Sequence, residues 1–230
     1  MTNELLFAIE LVAIFGALLG VKKIFGKKGL FAWVAMAGVL ANLQVNKCIS
    51  LFGLETAMGN VLFASSFLAT DIISETYGKK EAKKAVGAGI AFMLIFIFVT
   101  QATLWFIPSE SDFVHPAMQE LFTISFRTTT ASVVMYALAN ILDVYVFDKL
   151  KKKTNGKHLW LRNNVATILC NCSENFGFIF LAFAGIFDVP TMLSIAIGAS
   201  VVETIIAICD TPFAYLARKI HNKDEKELAK

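Results

Sequence analysis

Hydrophobic and polar positions divide the chain into seven long apolar stretches with short polar connections between them. A helix that crosses a bilayer needs about 20 mostly apolar residues, and each stretch has roughly that length. None alternates between apolar and polar residues as the strands of a membrane barrel do, and irregular backbone cannot face lipid. The pattern therefore predicts seven spanning helices, near residues 5–21, 29–46, 57–75, 85–107, 127–147, 163–187 and 191–217.

The composition favours an all-α, polytopic membrane protein with one bundle of helices. Apolar residues make up 57% of the chain and charged residues 17%, whereas about a quarter of the residues in a soluble domain are charged. The stretch at 57–75 is the most polar of the seven, so six spans with a re-entrant third segment remain an alternative. We predict one integral membrane domain over residues 1–220 and a short cytoplasmic tail at 221–230.

Lysine and arginine residues predict the orientation. Of the 21 basic residues, 19 lie in every second connection or at the C-terminus, and the other connections contain only Lys47 and Arg127. Cytoplasmic connections are rich in Lys and Arg. We therefore expect the N-terminus outside, the C-terminus in the cytoplasm and an odd number of spans. Such charge runs are typical of solvated helix ends, so we expect no nucleic-acid partner.

Motifs for other classes of protein are missing from the sequence. It contains no HExxH or GxSxG motif, and its three histidines, His115, His158 and His221, lie in connections or the tail. The four cysteines follow no disulfide or zinc pattern. We therefore expect no enzymatic activity, no cofactor and no metal site.

Acids and amides occur in pairs within the apolar stretches. Asp71 and Glu75 are four residues apart, and Asn140 and Asp143 are three apart, so each pair shares a helix face. A charged side chain at the bilayer centre costs about 2.5–3.5 kcal/mol, which predicts that these faces meet inside the bundle. The candidate substrate-binding residues are Asn140, Asp143, Asn171, Glu174, Asn175, Glu203 and Asp210. The candidates for a gate or for proton coupling are Asp71, Glu75, Arg127 and Arg162.

The chemistry of these side chains allows several ligands. A carboxylate can accept two parallel N–H bonds, an amide can donate and accept, and aromatic rings stack on flat heterocycles. A planar base rich in donors, an amine or a metal cation would all fit. Because basic partners are scarce, some of the acids should be neutral and able to carry protons, so proton coupling is a hypothesis.

Three blocks of sequence resemble the queuosine precursor transporter family, also called the vitamin uptake transporter family. They read "FLATDIISETYGKKEAKKAV", "LDVYVFDKLKKKTNGKHLWLRNN" and "AICDTPFAYLAR", and the resemblance runs from about residue 60 to 218. It implies a bacterial or archaeal plasma-membrane protein that imports 7-deazaguanine bases for the tRNA nucleoside queuosine. The family-like positions are Asp71, Glu75, Tyr77, Gly78, Asp143, Lys157, His158, Trp160, Arg162, Asn163, Asn164, Asp210 and Pro212.

The sixth stretch departs from the family pattern and leaves the substrate open. It has Ala166, Asn171 and Glu174 where the family often has Ser, Gln and Asp. The chain could also import another small planar nucleobase or vitamin. As a further alternative, it could be a substrate-binding membrane subunit that needs a separate ATP-driven partner, since it has no Walker motif. The expected partners are the lipid bilayer and a small 7-deazaguanine base, and a homodimer is left open.

Overall fold

The computed structural model describes residues 2–44, 47–122, 126–185 and 187–220. Within those ranges the chain forms a helical bundle with one small pair of strands. In chain order the elements are α1 (Asn3–Gln44), β1 (Cys48–Leu51), β2 (Leu54–Ala57), α2 (Asn60–Thr76), α3 (Lys79–Trp105), α4 (His115–Phe122), α5 (Phe126–Lys153), α6 (Leu159–Phe183) and α7 (Val189–Lys219). The tail predicted at 221–230 lies outside the described residues.

Helix α1 folds back on itself at Gly26. The backbone of Gly26 has φ 56° and ψ −134°, which is not helical and is a conformation that glycine adopts readily. Gln44 Nε2 donates to Glu10 Oε1 over 3.3 Å, although 34 residues of straight helix would separate the two by about 51 Å. The two halves are therefore antiparallel, and they match the first two apolar stretches.

Among the described residues, five helices are long and apolar enough to cross a membrane: α1, α3, α5 from Ala131 onward, α6 and α7. This confirms a helical membrane protein with several spans. Helix α2, in the third predicted stretch, has only 17 residues. Its side chains from Val61 to Ser74 are buried with the single exception of Phe63, and it contacts α1, α3, α5, α6 and α7. This central position explains its polar composition, because α2 has little surface to present to lipid.

Two short strands that the apolar pattern did not predict lie between α1 and α2. Strand β1 pairs with β2 in antiparallel register, from Cys48 opposite Ala57 to Leu51 opposite Leu54. Phe52 and Gly53 form the turn, both with positive φ (52° and 77°), as in the two-residue turns that suit hairpins. Four-residue strands are too short to give a clear period of two, so the apolar pattern did not separate them from the helices.

One end of the bundle collects the basic connections, and we call it the cationic end. It comprises the bend at 22–28, the start of α3, the residues between α5 and α6, and the end of α7. Ion pairs join these segments, such as Lys27 with Glu81 and Lys79 with Asp148. The opposite end carries β1 and β2, and we call it the hairpin end. The alternation of basic connections seen in the sequence therefore corresponds to two distinct ends.

The charge run that contains Lys22 predicted a solvated side chain at a helix end, but Lys22 is buried. Its side chain is buried, and Nζ donates to the backbone oxygens of Ala217 at 2.6 Å and Ile220 at 3.0 Å. The last carbonyls of a helix lack partners within the helix, and a positive charge there also interacts favourably with the helix dipole. Lys22 therefore caps α7 from the bend of α1.

Candidate functional site

The buried acids of three helices meet in the interior of the bundle. Asp71 on α2, Asp143 on α5 and Asp210 on α7 are each no more than 2% exposed. The carboxyl groups of Asp71 and Asp143 lie within hydrogen-bonding range of each other, and Asp210 lies within electrostatic range of both. Like charges in contact repel strongly where the dielectric constant is low. The Asp71–Asp143 pair is therefore suited to hold a proton between its two carboxyl groups.

Asp210 is fixed in place by α6. Asn163 Nδ2 donates to Asp210 Oδ1 over 2.6 Å, and both residues are fully buried. Pro212 lies two residues further along inside α7, where its ring removes one backbone hydrogen bond of the helix. The acid of α7 thus sits beside a weakened turn of its helix and is held by an amide from the neighbouring helix.

Glu75 links α2 to three cations at the cationic end. Its carboxylate lies 2.6 Å from Arg162 Nη2, 3.1 Å from Lys151 Nζ and 3.6 Å from Arg218 Nε. These cations belong to α6, α5 and α7, so one side chain of α2 connects the other three helices of the site. We call Glu75 with Arg162, Lys151 and Arg218 the Glu75 cluster.

Arg162 is the central cation of the Glu75 cluster. It is fully buried, Nη1 donates to the Lys157 carbonyl oxygen at 3.1 Å, and the guanidinium lies 5.4 Å from the centre of the Phe147 ring. Asp71 is one helical turn before Glu75 and lies within electrostatic range of the same arginine. Arg162 is therefore positioned between the Glu75 cluster and the buried acids.

A narrow cleft connects the Glu75 cluster with the acids. It encloses about 250 Å³ including its mouth, and its lining includes Asp71, Glu75, Asn163, Phe147 and Arg218. Both carboxyl groups of α2 therefore border the same space, on the side of the bundle that faces the cationic end.

A second polar layer lies further from the cationic end, between α6 and α7. Asn175 Nδ2 donates to Glu203 Oε2 over 2.7 Å and approaches Ser200 Oγ at 3.5 Å. Glu174 lies within electrostatic range of Glu203 and of Tyr136. The Tyr136 hydroxyl donates in turn to Ser66 Oγ on α2, at 3.2 Å. The polar interior thus continues from the acid pair toward the hairpin end.

Several buried polar atoms in this interior have no protein partner within the described part of the chain. Asn171 is 1% exposed, and neither its amide nitrogen nor its amide oxygen is hydrogen-bonded. Asn140 Nδ2 donates to the Tyr136 carbonyl at 2.9 Å, but its Oδ1 has no donor, and the same holds for Glu174 Oε2. Since buried polar groups are normally paired, these atoms are available to bind a polar ligand.

The structure places ten of the eleven predicted site residues in this polar interior or in the Glu75 cluster. The eleventh, Arg127, lies in α5, but its side chain is outside the described residues. Asp71 and Asp143 lie close together, so the predicted gate residues and binding residues are contiguous and do not form two separate groups. Their individual roles stay predictions.

Sequence reasoning missed Lys151 and Arg218 as members of the site. Each follows a buried aspartate on the same helix by eight residues, Asp143 in α5 and Asp210 in α7. Residues about two turns apart share a helix face, so this spacing was the signal that could have found them.

The comparisons with known proteins assign the chain to a family. The model of the family described as "Putative vitamin uptake transporter" matches residues 57–217. The chain belongs to this family. The match includes every predicted site residue and confirms the resemblance noted in the sequence.

Two curated relatives within this family cover most of the chain. The chain is 37% identical to the "Probable queuosine precursor transporter" of Bacillus subtilis over 88% of its length and 89% of the relative's. It is 32% identical to the "Queuosine precursor transporter" of Escherichia coli, over 68% of its own length and 69% of the relative's. No solved structure gives a significant match.

Proposed function

We propose that this vitamin uptake transporter imports queuosine precursors, which are 7-deazaguanine-type bases, across the plasma membrane of a bacterium or archaeon. The names of the relatives in Bacillus subtilis and Escherichia coli support this substrate. The protein would act as a secondary transporter, with no catalytic step on the base and no cofactor.

The observation that carries the proposal is the set of buried amide and carboxyl atoms that have no partner within the described part of the chain. A guanine-like base presents N–H donors along one edge and a carbonyl acceptor beside them, which carboxylates and amides can bind together. Glu174 or Asp143 would accept from the amino edge, and Asn140 and Asn171 would bind the remaining polar edges. Asn175, Glu203 and Asp210 would hold these groups in position.

We further propose that protons drive uptake through the Asp71–Asp143 pair. A proton bound between the two carboxyl groups relieves their repulsion, and its release would leave a negative charge that attracts Arg162. Glu75 and Arg162 would then form the gate at the cationic end. The position of Arg162, between the Glu75 cluster and Asp71, supports this coupling.

For the membrane topology we propose seven spans, two of them formed by the halves of α1 and one by α2. The cationic end would face the cytoplasm, because cytoplasmic connections carry the excess of Lys and Arg. This orientation places the N-terminus outside and the C-terminus inside. Helix α2, at 17 residues, is near the lower length limit for a span and is surrounded by other helices.

Uptake of a labelled 7-deazaguanine base by the purified protein in liposomes tests the function. Wild-type protein should accumulate the base without ATP, and guanine is the competitor that measures selectivity. Glu174→Ala should reduce uptake at least about 100-fold, because removing a hydrogen-bonded charge that reads the substrate costs several kcal/mol. Ser173→Ala is the matched control, since Ser173 is an exposed neighbour that bonds Leu169 of its own helix.

Normal uptake by Glu174→Ala would contradict the assignment of that residue. Uptake only after addition of an ATP-hydrolysing partner would favour the alternative, a substrate-binding subunit. Wild-type protein that neither binds nor transports any 7-deazaguanine would refute the proposed substrate.

A further inference from the structure

A second cleft lies at the hairpin end, away from the candidate site. It encloses about 580 Å³ including its mouth and is formed by α1, the two strands, the start of α2 and one residue of α7. The space inside the cleft is about 110 Å³ and it opens to solvent, so a heterocyclic base can enter it in part. The function proposed above assigns no role to this cleft.

An apolar floor separates the cleft from the polar interior. Leu51, Val61 and Val202 line the cleft and are each at most 3% exposed, as members of the main hydrophobic core. Glu203 follows Val202 directly in α7 and belongs to the second polar layer. A ligand in the cleft would therefore be close to the candidate site and still separated from it by one layer of aliphatic side chains.

The walls of the cleft carry complementary polar groups. Glu10 lines one wall, and the bond from Gln44 Nε2 to its Oε1 fixes its carboxylate. Lys47 and Asn60 line the cleft as well and supply N–H donors, while Phe7 adds an aromatic ring that packs edge-to-face against Phe52 at 6.2 Å. A flat ring with N–H donors beside a carbonyl group matches this combination of acceptor, donors and ring.

We propose that the cleft is an outer capture site, which binds the same class of planar, amino-bearing base before it passes the apolar floor. This inference rests on the proposed function. Glu10 accepts from the amino edge of the base, Lys47 donates to its carbonyl group, and Phe7 stacks on its ring. The site raises the local concentration of the base next to the second polar layer.

Transport kinetics of Glu10→Gln in liposomes test the capture site. The variant keeps the shape of the side chain and loses its charge, so it weakens capture and leaves the later steps unchanged. We expect the KM to rise about tenfold, because one charge-assisted hydrogen bond to the base is lost. The maximal rate should stay within about twofold of wild type. Glu110→Gln is the matched control, because Glu110 is an exposed acid after α3 at the same end of the bundle.

Site protection gives a readout that does not depend on transport. The variant Met58→Cys is made in a background in which the native cysteines are replaced by serine. Its thiol should react with a membrane-impermeant maleimide added to spheroplasts. Saturating 7-deazaguanine should slow that reaction at least threefold, and Glu10→Gln should raise the concentration that gives half of this protection about tenfold.

The two tests separate the capture site from the proposed function. Suppose that wild-type protein transports the base. An unchanged KM in Glu10→Gln, or a lack of protection at position 58, would then overturn the capture site and leave the function intact. A wild-type protein that transports no 7-deazaguanine would overturn both.

Discussion

The two ends of the bundle are closed by different interactions. At the cationic end, Glu75 binds cations from three helices, and Lys27 and Lys79 add further ion pairs. At the hairpin end, an open cleft of about 580 Å³ ends on a floor of buried aliphatic side chains. One barrier therefore depends on charge, and the other depends on packing.

This difference indicates how each barrier can be opened. An ion-pair cluster responds to a change of charge within a few ångströms, because Coulomb energies in the interior are large. An aliphatic floor responds only when the helices that carry it move apart, since close-packed side chains transmit displacement instead of absorbing it. In the proposed mechanism, a proton would therefore act directly on the cationic end.

The largest expected effect comes from Arg162→Ala, which removes the buried cation of the Glu75 cluster. The variant leaves Glu75 with only the more exposed Lys151 and Arg218. Breaking a buried pair costs about 3 kcal/mol or more, so we expect lower thermal stability and at least a 100-fold loss of uptake. Thermal unfolding in detergent and uptake in liposomes measure the two effects.

The double variant Arg162→Ala with Glu75→Gln is the control for Arg162→Ala. It also removes the carboxylate that has lost its buried partner, so it should recover part of the stability without recovering transport. Wild-type uptake by the single variant would show that the cationic end is not closed by this pair.

A smaller effect is expected from Asp143→Asn, which replaces one carboxyl group of the Asp71–Asp143 pair with an amide that needs no proton. A gradient equivalent to 100 mV supplies about 2.3 kcal/mol per charge, enough for roughly 50-fold accumulation of the base. The variant should lose this accumulation. Exchange of labelled for unlabelled base, measured in liposomes without a gradient, separates the two proposed roles: exchange is kept when Glu174 reads the amino edge of the base and is lost when Asp143 does. Accumulation that still follows the proton gradient would remove Asp143 from the coupling pathway.

The smallest effect is expected from Arg218→Ala. Arg218 lies 3.6 Å from Glu75 and its side chain is 47% exposed, and such exposed pairs contribute only about 0–1 kcal/mol. Uptake should stay within about twofold of wild type. A loss as large as that of Arg162→Ala would mean that the cluster depends on its exposed cations as much as on its buried one.

The apolar pattern predicted the helices because bilayer thickness fixes their length. All seven apolar stretches are helical over most of their length, including the two halves of α1. The strands escaped prediction because four residues give too little periodicity, and the burial of α2 depends on contacts with five other helices. Local sequence contains neither kind of information.

The candidate site was predictable in its residues and less so in its arrangement. The cost of a charge in lipid indicated that Asp71, Asp143 and Asp210 face inward, and they do. The contact between Asp71 and Asp143 joins α2 to α5, and the bond from Asn163 to Asp210 joins α6 to α7. Spacing along one helix cannot reveal which residue on another helix it will face.

Lys22 in α1 can cap α7 only after the ribosome has synthesised the end of the chain. The acceptor Ala217 follows Lys22 by 195 residues, so at about 5–20 residues per second the ribosome delivers it roughly 10–40 s later. Until then the ammonium group must remain hydrated or bind lipid phosphates at the membrane surface. The bend of α1 can therefore adopt its buried position only when the chain is nearly complete. A chain truncated before residue 217 would lack these acceptors for Lys22. The bend between the two halves of α1 would then lose the bonds that hold it in its buried position.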